Sequence, residues 1–243
     1  MNLIIDIGNS FVKLAVFRDD KLEKKEVIEA ENILDNIRLL NNIYPSINKA
    51  IISSVGKLKK KDINTIDKYF DLLILNSEAK LPFKNLYKTP KTLGVDRIAL
   101  VSASVNKFPK SNTLIIDSGT CITYDFINSK NEYLGGAISP GMQMRYKSLN
   151  TFTANLPLLQ SEIPDNITGQ STNESIHSGV VYGIIKEIEG IIETYKLKYS
   201  DLTVILTGGD AKFLSKQLKS SIFANSNFLL EGLNFILQYN SNE

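Results

Sequence analysis

Leu3-Ile4-Ile5-Asp6-Ile7-Gly8-Asn9-Ser10 returns 111 residues later as Leu114-Ile115-Ile116-Asp117-Ser118-Gly119-Thr120-Cys121. Each copy is a short apolar run, then Asp, one residue, Gly, and a hydroxyl or amide side chain. Each is followed by a second strand-like run, Phe11 to Phe17 and Ile122 to Ile127. Apolar runs of this length, bounded by turn residues, read as buried strands. Glycine at the reversal supplies backbone freedom that a Cβ would block. The aspartate falls at the strand end, where the chain leaves the sheet. Two such copies predict two like domains, each pointing a carboxylate into a shared cleft. Carboxylates beside backbone donors suit a hydrated magnesium ion and nucleotide phosphates.

The 243 residues are 43% apolar and 22% charged, an ordinary balance for a globular protein. A net charge of +2 is too small to argue for nucleic acid, and the arginines are only Arg18, Arg38, Arg97 and Arg145. The single cysteine, Cys121, permits no intramolecular disulfide, which fits a reducing compartment. A zinc cage is excluded by one Cys and one His. A Ser-His-Asp triad would have to use His177, which falls in a predicted helix with no nucleophile motif beside it. No basic stretch precedes an apolar core at the N-terminus, and no run approaches a membrane span. The expectation is a cytoplasmic protein with neither nucleic acid nor membrane as a partner.

Outward from the repeat, Leu3–Asp6, Phe11–Phe17 and Lys21–Ile28 read as a meander turning at Asp19-Asp20. Helical spacing follows over 31–43, a strand over 50–53, a helix over 57–69 and a strand over 72–75. Its lysine run, Lys57 to Lys61, reads as a wet face. Strands alternating with helices imply an α/β sheet. Residues 81–93 read as a loop, 98–105 as a helix, and Pro109-Lys110-Ser111-Asn112 as a boundary between domains 1–111 and 112–243. The second half repeats the plan with strands over 113–117, 122–127 and 133–138. After an irregular stretch over 150–169, Ser171-Thr172-Asn173-Glu174 forms a capping box for a long helix ending near Lys196. A strand over 204–206 and helices from Ala211 and Leu230 complete the chain.

The first repeat and three further motifs each admit two readings. Asp6-Ile7-Gly8-Asn9-Ser10 is a phosphate loop or a plain turn, and the matched repeat favours the first. Thr207-Gly208-Gly209-Asp210 lets a flat base or ribose lie on the backbone, or it is a tight connection with Asp210 as N-cap. The glycines of Gly135-Gly136-Ala137-Ile138-Ser139-Pro140-Gly141 allow close backbone approach near a helix start, or pack a loop under the neighbouring domain. In Gly94-Val95-Asp96-Arg97, Asp96 accepts a proton from an attacking hydroxyl, or caps a helix in a local ion pair. Arg97 has the fork that grips a carboxylate or phosphate. Cys121 reads as a small buried thiol.

Together and in this order, these motifs resemble the actin and sugar kinase superfamily, whose two ribonuclease-H-like domains clasp a nucleotide. Within it the match is to type III pantothenate kinases, whose pattern is Asp-x-Gly-Asn-Thr, Gly-x-Asp-Arg, Asp-x-Gly-Thr-Ala, Gly-Gly-x-Ile-x-Pro-Gly and Thr-Gly-Gly-Asp. The resemblance spans the chain and implies an α/β fold of two actin-like ATPase domains with a nucleotide cleft between them. It implies that Asp6, Ile7, Gly8, Asn9, Ser10, Phe11, Val12, Lys13 and Thr120 bind ATP, with Asp6 near Mg²⁺ through water. It implies that Asp117 holds a monovalent cation, K⁺ or NH₄⁺. Asp96 becomes the general base for the 4′-hydroxyl of pantothenate. Tyr87, Gly94, Val95, Asp96, Arg97 and Thr172 line the pantothenate pocket, Thr172 beside a homodimer partner. Ser10 stands where the family has Thr, Cys121 where it has Ala, and Ser171 where it has Asn.

The implied activity is ATP-dependent phosphorylation of pantothenate to 4′-phosphopantothenate, the first step toward coenzyme A. Two alternatives are another small-molecule kinase of the same fold, such as a sugar kinase, and a non-enzymatic accessory regulator. Ile176, Val180, Ile184 and Ile188 form a stripe with Gly179 and Gly183 on the long helix, which serves a dimer or the subunit core equally well.

Overall fold

In the computed structural model, which describes residues 1–8, 11–53, 58–76 and 78–241, the two Asp-x-Gly runs are the central strands of two sheets. The chain forms two compact units, Met1–Pro109 with Asn227–Glu243, and Lys110–Ser226.

The first unit contains β1 (Asn2–Ile7), β2 (Val12–Arg18), β3 (Lys21–Ile28), α1 (Ile33–Ile43), β4 (Lys49–Ile52), α2 (Lys60–Asp67), β5 (Asp71–Ile74), β6 (Lys84–Asn85) and α3 (Val95–Lys107). Its sheet runs β3-β2-β1-β4-β5. β1 is antiparallel to β2 and parallel to β4. A short reversal suffices for the first pairing, whereas the second needs the crossover that α1 supplies. Ile33, Ile37 and Leu40 form the buried stripe of α1 and pack with Leu3, Ile5, Leu14 and Ile52.

The second unit contains β7 (Thr113–Ser118), β8 (Cys121–Ile127), β9 (Glu132–Pro140), α4 (Met142–Phe152), α5 (Thr172–Lys196), β10 (Thr203–Thr207), α6 (Ala211–Leu214) and β11 (Phe223–Ala224). Its strands run β11-β10-β7-β8-β9, with β7 antiparallel to β8 and parallel to β10. The eight-residue repeat is thus the visible tip of a repeated sheet topology.

At the start of α5, Ser171 Oγ accepts the Glu174 N–H at 3.3 Å. The Glu174 carboxylate takes the Gln170 N–H at 2.8 Å, one residue further out than a capping box requires. Ile176, Val180, Ile184 and Ile188 are all buried against Leu114, Ile116, Tyr124 and Leu206 of their own unit. That stripe is therefore core.

Helix α7 (Phe228–Ser241) returns to the first unit, whereas the sequence reading assigns all of 112–243 to the second. Periodicity shows that a helix has an apolar face but not which core receives it. Asn234 fixes the docking: its amide donates to the Asp19 carbonyl and its Oδ1 accepts from Asn2 Nδ2, both at 2.8 Å. Helix α3 begins three residues before the expected Ile98. α2 covers Lys60–Asp67, and Lys57, where that helix was expected to start, lies outside the described residues. Among the described residues no helix is long and apolar enough to cross a membrane.

Gly232 lets α7 approach α3, since a Cβ there would stand 1.9 Å from the Ala99 carbonyl oxygen. Alanine gains about 1 kcal/mol in helix propensity over glycine. A clash with backbone has no rotamer to relieve it and costs up to about 3 kcal/mol. Gly232→Ala is expected to lose about 2 kcal/mol net, read from urea unfolding. Unchanged stability would refute this docking of α7.

Candidate active site

Asp6 stands near the end of β1 and is only 7% exposed. A carboxylate so buried needs partners. Ser53 Oγ donates to its Oδ1 at 3.0 Å, and Lys13 Nζ to its Oδ2 at 3.1 Å. Topology supplies both: Lys13 is the antiparallel partner of Asp6, and Ser53 directly follows the parallel strand β4. Ser53 Oγ also accepts the Ile7 N–H at 3.1 Å, tying strand end to strand end. Gly8 donates its N–H to the Phe11 carbonyl at 3.0 Å. Ile7 and Val12 are buried, and Phe11 is exposed. Asn9 and Ser10 lie outside the described residues.

Gly94 is the N-cap of α3, so Val95, Asp96 and Arg97 form its first turn rather than preceding it. Asp96 Oδ1 accepts the Arg97 N–H at 2.9 Å, satisfying one of the donors that a helix start leaves open. The carboxylate folds over Gly94, where a Cβ would stand 2.3 Å from Oδ1. Asp96 is exposed, and its second oxygen has no partner among the described residues. Arg97 is 5% exposed, with its Cζ 5.4 Å from the Tyr87 ring centroid, a cation–π contact. The Tyr87 N–H donates to Asn85 Oδ1 at 3.0 Å. Tyr87, Gly94, Asp96 and Arg97 thus share one neighbourhood.

In the second unit, half-buried Asp117 pairs with Thr123 on β8 and Thr207 on β10. The remaining glycine motifs converge on its loop. Gly208 has φ +96, and a Cβ there would stand 2.2 Å from the Ser118 carbonyl and 2.4 Å from Asp117 Oδ1. The Asp210 N–H donates to that Ser118 carbonyl at 3.0 Å. Gly141 donates to the Thr120 carbonyl at 3.1 Å, and its Cβ would stand 2.1 Å from the Gly119 oxygen. A Cβ at Gly136 would overlap the Tyr124 carbonyl. The second and third glycine motifs therefore pack backbone against backbone within their own unit. Thr120 stays exposed. Asp210 is N-cap of α6 without a side-chain capping bond, and burial pushes its carboxyl up.

Thr172 opens α5 and lines a cavity of about 870 Å³ with Arg145, Leu149, Ser171, Ile176 and Gly179. Arg145 belongs to a cluster that the sequence reading missed. Its guanidinium pairs with Glu187, and Tyr124 donates its hydroxyl to Glu187 Oε1 at 2.7 Å. Burial pushes the Glu187 carboxyl up, but hydrogen bonds from Arg145, Tyr124 and Ser139 outweigh it and hold the group below its usual range. Burial pushes the Tyr124 phenol up. His177 Nδ1 lies 2.9 Å from the Tyr146 hydroxyl, a structural contact. Cys121 is a half-exposed free thiol.

A family model described as type III pantothenate kinase matches residues 2–194. A type III pantothenate kinase of Christiangramia forsetii is 53% identical over 100% of both chains. Among solved structures, a Baf family protein from Campylobacter jejuni covers 99% of this chain and 100% of its own, at 23% identity and TM-score 0.67. A glucokinase from an Antarctic psychrotroph covers 98% of each chain at 11% identity and TM-score 0.53. At such identities the two structures speak for the fold alone.

Proposed function

The chain belongs to the type III pantothenate kinase family, and on that premise we propose how its residues carry the reaction. It is a kinase that uses ATP and a divalent metal to phosphorylate pantothenate, the first step toward coenzyme A. The first turn of α3 carries the assignment of the base.

Phosphoryl transfer asks a protein for positioning and charge neutralisation more than for covalent chemistry. In the proposed mechanism Asp96 takes the proton of the 4′-hydroxyl of pantothenate. The hydroxyl oxygen bonds to the γ-phosphorus of ATP as the bond to the ADP oxygen breaks, and ADP leaves with that electron pair. One carboxylate oxygen of Asp96 is committed to the Arg97 N–H, which orients the other. Arg97 anchors the pantothenate carboxylate, with Tyr87, Gly94 and Val95 as pocket walls; Thr172 contacts pantothenate, beside a dimer partner, on the family resemblance alone.

Asp6 suits magnesium. Among the described residues no group of three or more His, Cys, Asp or Glu could cage a metal. Mg²⁺ keeps several waters and needs only one or two carboxylates, so Asp6 would hold it through water. Bound there, it supplies neutralisation of the phosphate charge. Ile7, Gly8, Asn9, Ser10, Phe11, Val12, Lys13 and Thr120 complete the proposed ATP site. Asp117 would hold K⁺ or NH₄⁺: its Oδ1 and the Ser118 carbonyl crowd the same space beside Gly208, and oxygen donors suit a hard cation. A homodimer belongs to the proposal on the family resemblance, the stripe of α5 being core.

Asp96→Asn keeps shape and removes the base. Turnover with ATP, magnesium, potassium and pantothenate should fall by a factor on the order of 10² to 10⁴, while pantothenate binding survives in calorimetry. Near-normal turnover would sink the assignment. Asp117→Asn should abolish stimulation by potassium in the same assay, and an undiminished response would remove Asp117 from the cation site. Sedimentation at micromolar concentration should give a dimer; monomer alone would contradict it.

A further inference from the structure

We propose that Arg145 is a positioning residue for ATP, holding Pro140 and Gly141 in place against the Gly119-Thr120 turn. The proposal rests on the kinase reading, in which Thr120 touches ATP. Arg145 Nε donates to the Pro140 carbonyl at 2.9 Å, and its Nη2 donates to Ser139 Oγ at 3.0 Å. The same Nη2 pairs with Glu187 Oε2, and Tyr124 holds the other oxygen of Glu187. One guanidinium therefore ties the end of β9 to α4 and α5, and through Glu187 to β8. The planar fork matters here: a lysine offers a single point of charge and cannot span these acceptors.

The next residue passes this constraint on. Gly141 donates to the Thr120 carbonyl, and the space where its Cβ would stand is filled by the Gly119 carbonyl. No side chain lies between the two backbones to absorb a displacement, and packed interiors transmit strain. A shift of Pro140 thus becomes a shift of Gly119 and Thr120. Glu187, kept ionised by its three hydrogen bonds, makes the clamp charged on both sides. Arg145 also lines the cavity beside Thr172, so direct contact with the acceptor is the rival explanation.

The test uses the full chain with Arg145→Lys and Tyr124→Phe, each checked for folding by thermal unfolding. Steady-state kinetics give the kcat and both KM values. Calorimetry gives the Kd of a non-hydrolysable ATP analogue with Mg²⁺ in the absence of pantothenate. For Arg145→Lys, the ATP KM and the analogue Kd should both rise about tenfold. The pantothenate KM should stay within about twofold, against the tenfold expected if a supporting contact to the acceptor were lost. Tyr124→Phe preserves packing and removes one bond to Glu187, so both nucleotide constants should rise about threefold. A raised pantothenate KM with unchanged nucleotide constants would overturn the proposal, as would no change in either variant. If Arg145→Lys does not fold, Tyr124→Phe decides alone by the same criteria. Because the analogue titration needs no acceptor, it reads the clamp even if the wild-type chain fails to phosphorylate pantothenate, which would refute the kinase reading instead.

Discussion

Everything in both sheets hangs on the fork at the carboxyl end of the central strand. β1 and β7 each have an antiparallel neighbour on one side and a parallel neighbour on the other. The antiparallel neighbour is reached by a reversal of a few residues, whereas the parallel one is reached only through a crossover. Chain paths diverge at that end, as at the switch points where open α/β sheets bind ligands. An aspartate there receives partners from both sides. Asp6 takes Lys13 from the antiparallel strand and Ser53 from just beyond the parallel one. Asp117 faces Thr123 and Thr207 in the equivalent positions. The skeleton is repeated, while the residues in register with the two carboxylates differ.

The glycines of the second unit are a matter of packing before they are a matter of ligand. Each glycine costs roughly 0.5–1 kcal/mol in backbone freedom. At Gly136, Gly141 and Gly208 a Cβ would fall between 1.6 and 2.2 Å from a carbonyl oxygen. No rotamer relieves a clash between main chains, so the entropic cost is the smaller one. The result is an Asp-x-Gly-Thr loop braced from two directions by main chain, with Thr120 left outward.

The repeat and the motif order were legible because continuous apolar runs, buried on both faces, and turn chemistry are local properties. The capping of α5 was legible for the same reason, down to Ser171 and Glu174. What escaped was set by contacts distant in sequence. Arg145 meets Glu187 across 42 residues, and Tyr124 meets it across 63, with no motif marking any of them. β6 and β11 are two residues each, too short for any alternation to register. The destination of α7 depends on Gly232 and Asn234 finding Ala99, Asp19 and Asn2, which no window around residue 232 contains. The sequence reading starts α3 at Ile98 and offers Asp96 as its cap, whereas the N-cap is Gly94. Its N-cap role became visible only once Asp96 was seen folded over it.

That fold-over also explains why the proposed base lies outside the repeat. A carboxylate buried at a sheet fork, like Asp6, is already spoken for by a lysine and a serine. Asp96 is held instead by its own backbone: one oxygen accepts the next residue's N–H, and Gly94 leaves room for it. The proposed anchor, Arg97, is that next residue, buried beneath Tyr87. Base and anchor are therefore adjacent on one helical turn, the carboxylate held by the Arg97 N–H and the guanidinium by the Tyr87 ring. A reaction whose barrier is lowered chiefly by positioning gains most from that arrangement. Asp6, with a lysine on one oxygen and a serine on the other, offers no such oxygen to an incoming hydroxyl.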